Sequence, residues 1–113
     1  RADLLEVVGI YQRFFDAVGQ KLMSAVMTEF SRNYERFRDW FERALDSNVR
    51  MMKIVEANAK RRGEITHDFT EMQMRLPFDL LRIENVIRHE RVTAAYLTRL
   101  VDEVLLPVFS KKH

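Results

Sequence analysis

The sequence predicts an all-α fold, built as a long antiparallel helical hairpin. Of its 113 residues, 47% are hydrophobic and 32% are charged, and only three are glycine and two are proline. This balance is typical of a helical protein rather than of a β-sandwich or a disordered chain. No proline occurs before Pro77. From Leu4 to Ala59, moreover, apolar residues recur every three or four positions, which is the spacing of one face of a helix.

The first predicted element is a helix over about residues 2–62. Its apolar stripe has a mean step of about 3.67 residues, which favours a nearly straight helix over a strict heptad coiled coil. Asp46, Ser47 and Asn48 are residues that prefer helix ends to helix interiors. The apolar stripe nevertheless crosses them without a change of phase, which favours a continuous helix. If the chain breaks near residues 46–48, the alternative is a single-chain four-helix bundle.

The turn of the hairpin is predicted at Gly63, where Lys60, Arg61 and Arg62 precede a glycine suited to a left-handed helix end. Thr66 is the expected N-cap of a second helix over about residues 66–106. Pro77 lies within the second apolar stripe without changing its phase, so we expect a kink there, and Pro107 is expected to end the helix. The second stripe consists of Ile65, Phe69, Met72, Leu76, Leu80, Ile83 and Ile87.

The domain organisation follows from the amphipathic character of both helices. Residues 1–113 are expected to form a single helical domain, and the first residue, Arg1 rather than Met, suggests a fragment of a longer protein. A hairpin covers only one face of each helix, whereas the sequence has extra apolar positions near its N-terminus. We therefore expect self-association, with a dimer that completes a four-helix bundle as the favoured form.

Composition argues against several classes of function. The 19 basic and 17 acidic residues leave a net charge of +2, so no strongly basic surface is implied. The chain has no cysteine, no glycine-rich phosphate loop and no nucleophile motif, so we expect neither an enzyme nor a metal or cofactor site. No uncharged stretch approaches the roughly 20 residues of a transmembrane helix. The compartment stays open, with the cytoplasm favoured.

The favoured hypothesis is a non-enzymatic structural or protein-interaction module, such as a scaffold. Its partner-binding surface would be an aromatic helical face, because tryptophan and tyrosine dominate many binding interfaces. The residues assigned to this face are Tyr34, Phe37, Trp40 and Phe41.

A nucleic-acid-associated helical module is the second hypothesis, in which basic side chains contact phosphates. Acidic residues are interleaved with these basic ones, so this hypothesis is not favoured. A helical hairpin on a membrane surface is the third hypothesis, and the balanced charge weakens it in the same way. The candidate anion contacts are Lys60, Arg61, Arg62, Arg82, Arg88 and Arg91.

Overall fold

The computed structural model describes residues 1–88 and 91–110, and within these ranges the predicted all-α class is confirmed, with no strand. The helices are α1 (Ala2–Val18), α2 (Gln20–Arg32), α3 (Tyr34–Arg61), α4 (Glu71–Arg82), α5 (Ala94–Leu100) and α6 (Leu106–Ser110). A π-helical turn, Ile83–Ile87, continues α4, and a second one, Val101–Leu105, joins α5 to α6. None of the helices described is long and apolar enough to cross a membrane.

Helix α1 lies at the centre of the fold and packs against α2, α3, α4 and α5. Its N-terminal residue is tied to the far end of the chain, because the guanidinium of Arg1 contacts the carboxylate of Asp102 at 2.8 Å. The core therefore joins both ends of the sequence. Its buried side chains are Leu4, Val7, Val8, Met52, Val55, Phe69, Met74, Phe78, Leu81, Leu100, Val101, Leu105 and Phe109.

The prediction of one helix over residues 2–62 is wrong. Such a helix would be about 90 Å long, whereas the longest dimension of the described structure is 44 Å. The chain breaks first at Gly19, whose φ of 84° and ψ of 154° are open to glycine and strained for other residues. It breaks again at Asn33, whose φ is −129° and ψ 49°. These breaks let α1, α2 and part of α3 cover one another's apolar faces.

The alternative break near residues 46–48 is also wrong, since α3 runs through Asp46, Ser47 and Asn48 without interruption. Helix α3 ends at Arg61, and Gly63 has the positive φ, 76°, that suits a glycine after a helix. The backbone N–H groups of Gly63 and Glu64 donate to carbonyls of the last helical turn. The chain therefore leaves α3 at the predicted place.

The second helix differs from its prediction at both ends. It begins at Glu71 rather than near Thr66, because Thr70 and Gln73 form a reciprocal capping box. Pro77 lies inside α4 without ending it. Helix α5 begins only at Ala94, after its N-cap Thr93.

The C-terminal end of the second arm departs from the prediction as well. Residues 91–93 lie outside any helix, so the predicted continuous helix over 66–106 is interrupted before α5. Pro107 lies inside α6, which follows the π-helical turn without a break and continues to Ser110, so it does not end the helix.

The apolar stripe assigned to the second helix is divided between the core and the surface, because Phe69 is buried, Ile65, Leu76 and Leu80 pack against the core, and Met72, Ile83 and Ile87 are exposed. Met72 is 84% exposed and Ile87 is 71% exposed, whereas Phe78 and Leu81 are buried. Helix α4 has apolar residues on two faces, and periodicity alone does not say which one meets the core. Phe78 and Leu81 belong to the core, and Met72, Ile83 and Ile87 stay uncovered within one copy.

Candidate functional site

Two adjoining cavities lie where α1 to α4 meet, and together they form what we call the aromatic cleft. The inner cavity has a volume of about 440 Å³ and the outer cavity about 300 Å³. Trp40 borders both cavities. The inner cavity is lined by Tyr11, Phe14, Phe15, Met27, Trp40, Phe41, Arg43, Ala44, Leu45, Ser47, Asn48 and Arg82. The outer cavity is lined by Val26, Glu29, Phe30, Phe37 and Trp40.

The walls of the aromatic cleft are held by ring contacts between helices. The ring of Phe30, on α2, packs against that of Phe41, on α3, at 4.7 Å between centroids. Tyr11 meets Phe15 and Phe78 edge to face, at 5.1 and 5.0 Å. Trp40 remains 51% exposed. The breaks at Gly19 and Asn33 allow α2 to approach α3 in this way, so the cleft is a product of the chain folding back.

Arg82 is the most enclosed charged group of the inner cavity, with 22% of its side chain exposed. Its guanidinium lies over the ring of Phe41, 5.6 Å from the centroid. It donates to the Asp79 carboxylate at 2.9 Å and, at 3.4 Å, to the hydroxyl of Tyr11. Burial lowers the pKa of Arg82, but Tyr11 and Asp79 outweigh burial and raise that pKa above its ordinary value. The cleft therefore holds a permanent positive charge.

The structure brings three of the four predicted partner-binding residues to the aromatic cleft. Phe37 and Trp40 line the outer cavity, and Trp40 and Phe41 line the inner one. Tyr34 lies beside them, with its ring edge-on to Phe30 at 5.4 Å between centroids. That these residues bind a partner protein stays a prediction.

The candidate anion contacts are mostly engaged with side chains of this chain. Lys60 pairs with Asp68, which raises the pKa of Lys60 and lowers that of Asp68. Arg62 contacts both Asp3 and Glu64 at 3.0 Å.

The other candidate anion contacts occupy different parts of the chain. Arg61 bonds Asn58 at 2.9 Å, at the end of α3, and Arg88 contacts Glu84 at 3.3 Å, after α4. Arg91 lines a shallow depression beside Gln12, whereas Arg82 faces the cleft. Phosphate binding by this set stays a prediction.

A buried amide pair beside α1 was missed from the sequence. Gln12 and Asn85 exchange two hydrogen bonds, at 2.9 and 2.8 Å, and Asn85 also donates to the carbonyl of Leu81. Asn85 lies in the π-helical turn that follows α4. Gln12 stands four residues after Val8, on the buried face of α1, and a polar residue at a core position was the available signal. Its partner, Asn85, is 73 residues away, so the helical spacing of residues in the sequence could not identify it.

Comparison with known proteins identifies a family for this chain. Residues 1–104 match the family model described as Tetracyclin repressor-like, C-terminal domain. No curated protein and no solved structure matches the chain. Domains of this family are the ligand-binding and dimerisation part of transcription regulators and are not enzymes.

This match corrects the functional hypotheses. The prediction of a generic structural or scaffold module is wrong, because the family is regulatory. Regulators of this family bind nucleic acid through their N-terminal domain, so a phosphate-binding role for the C-terminal domain is not the family's function. The membrane-surface hairpin is set aside for the same reason.

Proposed function

This chain belongs to the family of Tetracyclin repressor-like C-terminal domains, and on that premise we propose that it is the ligand-sensing and dimerising domain of a transcription regulator. The ligand is a small, largely apolar molecule that binds in the aromatic cleft. The observation that carries this proposal is the inner cavity, which has contributions from four helices and lies beside the only tryptophan of the chain.

The size and lining of the inner cavity support a small-molecule ligand. Ligand sites in proteins are typically concave, about 300–1,000 Å³ in volume and lined by apolar and aromatic side chains with a few polar groups. The inner cavity, at about 440 Å³, falls within this range. Its polar groups are few, namely the Tyr11 hydroxyl, Arg43, Ser47, Asn48 and Arg82.

The test uses the neutral fluorophore N-phenyl-1-naphthylamine and energy transfer from Trp40. We expect saturable binding to the wild-type protein, with Trp40 emission falling as probe emission rises. Ala44→Phe places a ring at the wall of the inner cavity and should weaken binding at least tenfold. Ala57→Phe makes the same change at an exposed position of the same helix, outside the cavity lining, and should leave binding unchanged. Equal binding by both variants would contradict the proposal.

We propose also that the chain dimerises through the outward face of α4 and the π-helical turn that follows it. Met72, Leu76, Leu80, Ile83 and Ile87 lie three or four residues apart, which puts them on one side of the helix. Met72, Ile83 and Ile87 are exposed. Leu76 and Leu80 are partly buried against the core, so the exposed part of this side is Met72 at one end and Ile83 with Ile87 at the other. Large apolar side chains exposed together on one helix face are typical of an interaction surface. A second copy is the proposed occupant, which packs its own α4 against this face in a symmetric dimer.

A further inference from the structure

We infer that the ligand of the aromatic cleft carries an acidic group, which Arg82 and Tyr11 bind while the aromatic walls take up an apolar body. This inference rests on the proposed ligand-sensing function and adds the chemical class of the ligand. A carboxylate, a sulfonate or a phosphate ester would meet the same groups, since each presents anionic oxygens to a guanidinium.

The lining of the inner cavity is positive. Its charged side chains are Arg43 and Arg82, and no aspartate or glutamate lines it. Arg43 makes no ion pair with any residue that the structure describes. A negatively charged group entering this cavity would therefore meet two cations and no lining carboxylate.

Arg82 retains donors for such a group. A guanidinium has five N–H bonds in a planar fork, and Arg82 uses one nitrogen on Asp79 and another on Tyr11. The bond to Tyr11 is long, at 3.4 Å, so a stronger acceptor would replace it readily. Asp79 is about half exposed and lies on the same helix, three residues before Arg82. It fixes the guanidinium against Phe41 while the remaining N–H bonds stay available.

Tyr11 supplies a second donor at the same place. Its hydroxyl oxygen is the acceptor for Arg82, so the phenolic proton can be donated to an oxygen of the ligand. A phenol and a guanidinium side by side, beneath a cavity with aromatic walls, match an acidic head joined to an apolar or aromatic body. A neutral apolar ligand would leave Arg82 to its intramolecular partners alone, and this is the rival hypothesis.

Two probes that differ only in one acidic group separate these hypotheses. 8-Anilinonaphthalene-1-sulfonate carries a sulfonate, and N-phenyl-1-naphthylamine is the same molecule without it. The wild-type protein should bind the sulfonate at least tenfold more tightly than a variant with Arg82→Gln, because hydrogen bonds to charged groups are worth more than neutral ones. Binding of the neutral probe to the two proteins should agree within about twofold. Arg82→Lys, which keeps the charge, should retain part of the sulfonate affinity.

The matched control is Arg99→Gln, which removes an exposed arginine of α5 that lies outside the cavity lining. It should change neither affinity. If Arg82→Gln loses its helical circular dichroism, Tyr11→Phe replaces it as the test variant, because it removes only the hydroxyl group. We expect it to weaken sulfonate binding about threefold and to leave the neutral probe unaffected.

The outcomes separate this inference from the function on which it rests. If wild-type protein binds neither probe, the ligand-sensing function fails, and the acidic ligand with it. Wild-type protein that binds the neutral probe, together with loss of that binding in Ala44→Phe, would support the ligand-sensing function. If Arg82→Gln then changes neither affinity, the inference that the ligand carries an acidic group is wrong. An equal loss of sulfonate affinity in Arg82→Gln and Arg99→Gln would also overturn the inference, since it would report surface charge alone.

Discussion

At the scale of single residues, the amide pair of Gln12 and Asn85 is a buried polar contact that fixes how α1 packs. Both side chains are buried, and their mutual hydrogen bonds satisfy groups that would otherwise lose water without replacement. The pair ties α1 to the π-helical turn after α4, three residues beyond Arg82. Single π-helical turns are frequent at functional sites.

Asn85→Leu should lower the free energy of unfolding by about 1–3 kcal/mol, because it removes the donor to the buried Oε1 of Gln12, whose Nε2 keeps only Asp16. Urea unfolding followed by circular dichroism measures the change. The double variant Gln12→Leu with Asn85→Leu is the control, and it should recover much of the loss, since two apolar side chains have no unsatisfied groups. If the double variant loses more free energy of unfolding than the two single variants lose together, this account is wrong.

Trp40 illustrates what could be predicted from the sequence for single residues and what could not. Its helical spacing with Phe37 and Phe41 was enough to identify an aromatic face and to select it as a binding surface. The sequence could not say that α2 folds back over that face, because this depends on the contact of Phe30 with Phe41 across a chain break. The same residues therefore line a half-open cleft between α2 and α3.

At the scale of elements, the fold depends on interruptions only one residue long. Gly19 and Asn33 each separate two helices without disturbing the three-to-four spacing of apolar residues, so periodicity could not detect them. Residues 46–48 have low helix preference, yet they lie in the middle of the 28-residue helix α3. Local preference is a weak guide when packing opposes it.

Gly19→Ala tests whether the first break is specified by its backbone conformation. No atom lies within 4 Å of an added Cβ, so the expected cost arises from φ and ψ and is about 1–3 kcal/mol in the free energy of unfolding. Gly9→Ala is the matched control inside α1, where alanine should stabilise by about 0.5–1 kcal/mol. Thermal and urea unfolding measure the change in the free energy of unfolding for both variants, and we expect a loss for Gly19→Ala and a gain for Gly9→Ala. A more stable Gly19→Ala protein would mean that α1 and α2 favour one continuous helix.

At the scale of the whole molecule, the ligand site and the dimer surface share α4. Arg82 faces the aromatic cleft, whereas Ile83, the next residue, and Ile87 lie on the proposed dimer face. A ligand that moves Arg82 would therefore act directly on the residues that meet a second copy. Such proximity is one physical basis for coupling ligand binding to dimer geometry.

Ile87→Arg should convert the dimer to a monomer, because a charge would be buried in the interface without a partner. Sedimentation velocity measures the molecular mass, and circular dichroism should show unchanged helix content. Ile54→Arg is the matched control, since Ile54 is 61% exposed on α3, away from the proposed face. The dimer proposal fails if wild-type protein sediments as a monomer, or if both variants remain dimers.

Residues from both ends of the sequence pack in one core, so the core cannot be completed until the later ones have been synthesised on the ribosome. Leu4 and Val8 of α1 pack in a cluster that includes Leu105 and Phe109. Translation adds about 5–20 residues per second, so α1 waits about 5–20 s after its own synthesis before its last core partners exist. During that interval its apolar side chains have no permanent cover, which makes the nascent domain a natural client for chaperones and places completion of its core after the synthesis of Phe109.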